Sequence, residues 1–179
     1  MSFIRSPFFA AIMSLYLQTP AQELSCTPSS PSNQTFTRNL PNGATATVSR
    51  DTPNNLGQAC TVIVRDRSAR VVFEDRGFST SIDASTGRDI DNDGQPDAVV
   101  GVETSGGNSR TWEYPVISFA PSPRVLLKLP RATFDFETKP GKTLIWTSAT
   151  FEDLGPIGPD TPRVATIHEF RPSGFIDVT

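Results

Sequence analysis

The sequence predicts an all-β domain, and two observations support this prediction. Short runs alternate apolar and polar residues with the period of two that is typical of strands, most clearly at 134–137, where two phenylalanines alternate with acidic residues. Sixteen prolines would interrupt most helices, and no long stretch has a period of 3.6 residues. We therefore expect a single antiparallel β-sandwich or a strongly twisted sheet, with every connection made by turns and loops.

Several segments qualify as strands on alternation or on their content of β-branched residues. At 60–64, Cys60, Val62 and Val64 alternate with Thr61 and Ile63. The other predicted strands are 45–50, 69–75, 97–103, 111–119, 125–130, 132–137, 142–151, 163–170 and 174–178. Pro140-Gly141 has the residue order of a type II turn and should connect 132–137 to 142–151. Pro172-Ser173-Gly174 should turn the chain between the last two strands.

The amino-terminal residues 1–21 have the pattern of a signal peptide. Arg5 supplies a positive charge, 8–17 is apolar, and Thr19-Pro20-Ala21 is a small-residue cleavage site. The apolar stretch is too short to span a bilayer. We expect a secreted or periplasmic protein that begins near Gln22 and has no transmembrane segment, with a lipoprotein anchored at Cys26 as the alternative.

The remainder divides into two parts by composition. Residues 22–44 are rich in Pro, Ser, Thr and Asn and are expected to be poorly structured, whereas 45–179 form the all-β domain. The length corresponds to one domain, and we expect a monomer. A formal net charge of −3 gives no electrostatic reason to expect nucleic acid or an anionic membrane as a partner.

The two cysteines, Cys26 and Cys60, are expected to form a disulfide, because an exported protein reaches an oxidising compartment. The bond would close a loop of about 34 residues and add about 3–4 kcal/mol of stability in the chain-entropy model. Two buried free thiols are the alternative.

The most specific motif lies at 89–97, which reads DIDNDGQPD. Its carboxylates stand at positions 1, 3, 5 and 9, and they belong to Asp89, Asp91, Asp93 and Asp97. Calcium takes about 6–8 oxygen ligands, and without a cation these carboxylates would repel one another. Gly94, at position 6, permits the sharp turn such a loop requires, and Gln95 would add its backbone carbonyl. The pattern therefore predicts a Ca²⁺ site.

The loop is not a complete EF-hand. Position 12, where an EF-hand has a bidentate Glu, is Val100, so Asp97 would have to complete the coordination. The β-branched residues that follow at 98–102 favour a strand rather than a helix. We expect a calcium loop between strands.

This motif and the following Ala98-Val99-Val100-Gly101 resemble the calcium loop and next strand of FG-GAP/VCBS-type repeats. Such repeats build integrin-like β-propeller blades and many secreted bacterial proteins. More loosely, 89–130 is similar to a group of uncharacterised bacterial secreted proteins, although their His and paired Cys are replaced here by Asn108-Ser109-Arg110. The resemblance implies a binding or adhesion role. Since the motif occurs once, a closed propeller is not expected.

For the other candidate residues, a structural role is the alternative to a functional one. Trp112 and Tyr114 share a strand face and could form a platform for a carbohydrate or protein partner, although core packing is the commoner role of large aromatics. The only histidine, His168, has the setting of a partly buried structural residue. No nucleophile elbow, phosphate loop or zinc ligand set is present in the sequence.

The sequence therefore favours an exported, non-catalytic calcium-binding domain in which the ion is structural. The alternative is a secreted hydrolase in which two carboxylates act on a glycosidic bond. Its candidate residues are Glu103, Glu113, Asp135, Glu137, Glu152 and Asp153. An inhibitor or envelope-stress protein is a third possibility that the sequence neither supports nor excludes.

Overall fold

The computed structural model describes residues 22–106, 111–130, 133–139, 142–150, 163–171 and 174–177, and these contain strands but no helix. The strands are β1 (Leu24–Cys26), β2 (Thr35–Asn39), β3 (Thr45–Arg50), β4 (Cys60–Arg65), β5 (Val71–Gly77), β6 (Thr80–Ile82), β7 (Ala98–Ser105), β8 (Thr111–Ser118), β9 (Arg124–Pro130), β10 (Thr133–Lys139), β11 (Lys142–Thr150), β12 (Arg163–Arg171) and β13 (Gly174–Asp177).

The strands form three antiparallel sheets. The N-terminal sheet has the order β2-β3-β4-β5, the central sheet β1-β6-β7-β8-β9, and the C-terminal sheet β10-β11-β12-β13. The all-β, antiparallel prediction is confirmed. Three sheets within the described residues are fewer than the roughly four blades that the smallest propellers require, as the sequence predicted.

The N-terminal and central sheets pack face to face as a sandwich. Val48 on β3 and Val62 on β4 are fully buried against Val100 and Val102 of β7, and these residues belong to one apolar cluster. Because side chains alternate between the faces of a strand, residues two apart on β7 point into the same core. This core joins the N-terminal and central sheets and positions the start of β7.

A second core covers the opposite face of the central sheet. Val99, Val116 and Leu129 of the central sheet join Phe136 of β10 and Ile145 of β11 in a separate apolar cluster. The central sheet is therefore covered on both faces, which explains why 98–102 is continuously apolar rather than alternating.

The expectation that 22–44 is poorly structured is wrong. β1 pairs with β6, and β2 pairs with β3 from Thr35 opposite Ser49 to Asn39 opposite Thr45. Both are edge strands, where polar residues are tolerated because one side faces solvent, so their composition resembles that of a loop. The short β6 was not predicted either. The remaining strands lie within a few residues of their predicted bounds.

Some predictions fall outside the described residues. They are the signal peptide 1–21, the turn at Pro140-Gly141, and Pro172 and Ser173 of the last turn. In the part of the chain that the structure describes, no helix has the length and apolarity needed to cross a bilayer.

Candidate metal centre

The predicted calcium loop leads directly into β7. Its ends are joined by backbone hydrogen bonds, from the Asp97 amide to the Arg88 carbonyl at 2.7 Å and from the Gly87 amide to the Asp97 carbonyl at 2.8 Å. Within the loop, Asn92 and Gly94 have φ values of 57° and 85°. Asn tolerates this left-handed region better than most residues and Gly adopts it without steric cost, so the Asn-Asp-Gly order permits the tight winding.

Asp89 fixes the winding from its first position. Its Oδ1 accepts a hydrogen bond from the Asp93 amide at 3.1 Å, and its Oδ2 accepts one from the Gly94 amide at 2.9 Å. Asp91 Oδ1 also accepts from the Asp93 amide, at 3.2 Å. The loop therefore curls around its own carboxylates, which brings residues distant in the loop to one point.

Three carboxylates meet at this point. Asp89, Asp91 and Asp97 each place an oxygen within 4.8 Å of the others. Asp97 is fully buried and Asp91 is 7% exposed, whereas Asp89 is partly exposed. Buried carboxylates are costly unless they are compensated by hydrogen bonds or by a positive charge.

The compensation from the protein is incomplete. Asp97 Oδ2 accepts hydrogen bonds from the Ile90 amide at 2.7 Å and the Asp91 amide at 3.2 Å. Its Oδ1 and the Oδ2 of Asp91 are buried and accept no hydrogen bond from any described group. These two oxygens, together with Asp89, match the oxygen donors that a hard divalent cation selects.

Burial and mutual repulsion govern the ionisation of these groups. The pKa of Asp97 is raised to about 7, chiefly by burial; the hydrogen bond from the Ile90 amide lowers the pKa, and the nearby charge of Asp91 raises it. Burial also raises the pKa of Asp91, with the charges of Asp93 and Asp89 acting in the same direction. A bound cation would favour the ionised forms of Asp91 and Asp97.

Two of the predicted ligands lie outside this cluster. The Oδ1 of Asp93 accepts from the Gln95 amide at 2.8 Å, and its Oδ2 accepts from the Ser118 hydroxyl at 3.3 Å. The side chains of Asp93 and Gln95 are exposed. Ligation by Asp93 and by the Gln95 carbonyl stays a prediction. Val100, at position 12, is a fully buried strand residue, so Asp97 is the last carboxylate of the loop.

One residue near the cluster lies outside the sequence motif that predicts the site. Arg124, at the start of β9, places its Nη2 3.6 Å from Asp91 Oδ2, while its Nη1 donates to the Ala120 carbonyl at 2.6 Å. It lies 33 residues beyond Asp91 and reaches the loop only because β8 and β9 pair beside β7. Arg124 offsets part of the negative charge at the edge of the cluster.

The loop also contacts the other two sheets. The Asn92 amide group donates to the Thr143 hydroxyl of β11 at 3.0 Å. The Asn42 amide group, from the turn between β2 and β3, donates to the Pro96 carbonyl at 3.3 Å. A change in the order of the loop would therefore affect all three sheets.

Cys26 and Cys60 form the predicted disulfide, with their Cα atoms 5.9 Å apart. The bond joins β1 of the central sheet to β4 of the N-terminal sheet. It therefore links the two layers of the sandwich directly.

Trp112 and Tyr114, the proposed platform, stack on each other with ring centroids 5.8 Å apart and an interplanar angle of 17°. They lie over Gly101 of β7, where a Cβ would come within 2.8 Å of the Tyr114 ring and 3.2 Å of the Trp112 ring. Both side chains are partly buried, and Tyr114 packs against the second core. The arrangement accounts for the glycine in an otherwise β-branched strand.

We expect Gly101→Ala to lower the free energy of unfolding by about 1–3 kcal/mol, the usual cost of overpacking. The added methyl group would also meet Ser81 Oγ at 2.6 Å, so side chains on two strands must move. Urea unfolding measures the effect. In a Tyr114→Leu background the cost should be smaller, and an equal cost there would contradict this account of the glycine.

Three of the candidates for hydrolysis have described side chains. Glu113 pairs with Lys128 and Glu137 pairs with Lys139, each at 3.1 Å, whereas Glu103 is buried on β7. His168 occupies a β12 position opposite Ile145 of β11. The side chains of His168 and Asp135, and all of Glu152 and Asp153, lie outside the described set.

Comparison of this chain with protein-family models, with curated proteins and with solved structures finds no match.

Proposed function

We propose that this chain is an exported, non-catalytic β domain that binds calcium at Asp89, Asp91 and Asp97. The observation that carries the proposal is the pair of buried carboxylate oxygens, one on Asp91 and one on Asp97, that accept no hydrogen bond from described groups. Asp89, Asp91 and Asp97 each place one carboxylate oxygen within 4.8 Å of the others, which is a spacing that one ion can bridge.

The donor set favours calcium over other metals. All three side-chain donors are carboxylates, and neither His nor Cys is among them. Zinc sites usually include nitrogen or sulfur ligands, and magnesium prefers rigid octahedral sites with several retained waters. Calcium accepts a larger, irregular set of oxygens, so a loop carbonyl such as that of Gln95 and water can complete the coordination.

The ion's proposed role is structural. It would neutralise the buried charge at the point where the loop enters β7 and contacts Thr143 of the C-terminal sheet. Extracellular calcium modules bind with dissociation constants of about 10⁻⁴–10⁻³ M. At millimolar calcium, binding in this range adds about 0.4–1.4 kcal/mol to the free energy of unfolding.

Export to an oxidising compartment is supported by the Cys26–Cys60 disulfide and by the signal-like pattern of 1–21. A binding or adhesion role rests on the resemblance to FG-GAP/VCBS-type repeats. The partner class, protein or carbohydrate, is the one expected of the aromatic pair Trp112 and Tyr114.

Isothermal titration of the calcium-stripped mature chain tests the proposal. We expect one site for calcium, with magnesium binding at least tenfold more weakly. Asp91→Asn should weaken calcium binding at least tenfold, because it removes a charged ligand at the buried point of the cluster. Glu74→Gln, the same change of charge on an exposed β5 residue, is the control and should leave binding unchanged. Equal calcium affinities of the wild type and Asp91→Asn would refute the site.

A further inference from the structure

A cleft of about 500 Å³ lies beside the metal centre. One wall is formed by the loop residues Asp93 and Gln95, and another by Arg67 and Ser68 of the turn between β4 and β5. A third wall is the turn between β8 and β9, with Phe119, Ala120, Pro121 and Pro123. The volume falls within the range of about 300–1,000 Å³ that is typical of small-molecule sites.

Some polar groups of the cleft are used by the fold. The Asp66 carboxylate accepts hydrogen bonds from the Ser68 and Arg70 amides and pairs with the Arg70 side chain at 3.1 Å. The Asn42 side chain bonds the Ala44 amide and the Pro96 carbonyl. The polar groups of these two residues are already hydrogen-bonded within the fold, so the two residues shape the cleft and do not bind the ligand.

Other polar groups are available. Arg67, Ser68 and Gln95 are exposed, and their side chains make no hydrogen bond with a described residue. They supply a guanidinium group, a hydroxyl and an amide, which together offer several donors and acceptors. The opposite charges of Arg67 and Asp93 stand on different walls, so the cleft has no strong preference for a charged ligand.

The third wall has a different character. Phe119 is partly buried and offers a ring, and Ala120, Pro121 and Pro123 extend the apolar surface. A ligand that fits this lining carries hydroxyl groups around its edge and an apolar face of C–H groups. A pyranose sugar has both features and no net charge.

The cleft and the metal centre share part of the chain. Asp93 lines the cleft and accepts a hydrogen bond from Ser118, the last residue of β8. Arg124 connects Asp91 to the Ala120 carbonyl in the apolar wall. The third wall is thus tied to the loop, which forms the first wall and would hold the ion.

We propose that this cleft is a calcium-dependent binding site for one or two residues of a neutral oligosaccharide. The proposal rests on the proposed calcium site and adds the ligand class and its location. It places carbohydrate recognition between the loop and the two neighbouring turns rather than on Trp112 and Tyr114.

The test is an array of neutral oligosaccharides of glucose, galactose, mannose, xylose and N-acetylglucosamine. The mature chain is applied in millimolar calcium and in EDTA, and the dissociation constant of any bound sugar is measured by calorimetry. We expect binding in calcium and at least tenfold weaker binding in EDTA. Ser68→Trp, which fills the cleft, and Arg67→Ala should each weaken binding at least tenfold. Ser29→Trp, an exposed tryptophan outside the cleft, should not.

Three results would overturn the proposal: no sugar bound in calcium, undiminished binding by Ser68→Trp, or equal binding in EDTA. The calcium titration of the same preparation separates this inference from the proposed function. Calcium binding without sugar binding refutes the cleft alone. Absence of calcium binding refutes the metal site, whatever the array gives.

Discussion

Asp97→Asn is expected to change stability in opposite directions with and without calcium. In EDTA at pH 8 the variant should be more stable than the wild type by about 2–4 kcal/mol, because a fully buried carboxylate with a pKa near 7 is replaced by a neutral amide. The new amide oxygen can still accept from the Ile90 amide, and the new NH₂ group can donate to the Asp91 oxygen that now lacks a hydrogen bond. In saturating calcium the free energy of unfolding of the wild type should rise, whereas that of the variant should not.

The pH dependence follows from the direction of the same shift. The pKa of Asp97 is raised in the folded state from its ordinary value of 3.8 to about 7. Folding therefore favours the protonated form of Asp97. With this group considered alone, the calcium-free wild type should be most stable below about pH 4. The free energy of unfolding should then decline as the pH rises towards 7 and level off above it. Asp97→Asn should lack this decline.

Urea unfolding at several pH values, in EDTA and in saturating calcium, measures both effects. Asp75→Asn, which neutralises an acidic side chain on β5 outside the cluster, is the matched control. Calcium should stabilise this variant as much as it stabilises the wild type. A variant that is less stable than the wild type in EDTA at pH 8 would show that the buried carboxylate carries no electrostatic cost. The calcium site would then lose its main physical argument.

The acidic loop at 89–97 and β7 are predictable from sequence because their determinants are local. The Asp alternation and Gly94 lie within nine residues, and the β-branched run that becomes β7 follows at once. Strand β3 is similarly encoded in alternating residues. There the period of the side chains alone identifies the buried face.

Other features depend on partners far away in the chain. β1 has three residues and is defined by pairing with β6, which lies more than fifty residues downstream. Ser118 and Arg124 reach the loop only after β8 and β9 have joined β7 in the central sheet. The cleft combines three turns whose sequences give no common motif. No local pattern marks such residues, because what selects them is the geometry of the assembled sheets.

Removal of the disulfide is expected to have the other large effect. Cys26→Ala with Cys60→Ala should lower the free energy of unfolding by about 4 kcal/mol in the chain-entropy model, since the bond closes a loop with a sequence separation of 34 residues. Both residues are buried in the core between the N-terminal and central sheets, so the lost sulfur contacts add to this cost. Urea unfolding of the oxidised wild type, the reduced wild type and the double variant measures the change.

The effect should be confined to stability and to the amino-terminal strand. Among the described strands β1 pairs only with β6, and the disulfide ties it to β4, so the amides of Leu24–Cys26 should exchange with solvent much faster in the double variant. The calcium loop makes no contact with the disulfide that would alter its ligands, and calcium affinity measured on the folded variant should stay within twofold of the wild type. A loss of less than about 1 kcal/mol would mean that the sandwich core alone holds the two sheets together. A large fall in calcium affinity would instead mean that the order of β1 is transmitted to the loop through β6 and the connection at 83–88.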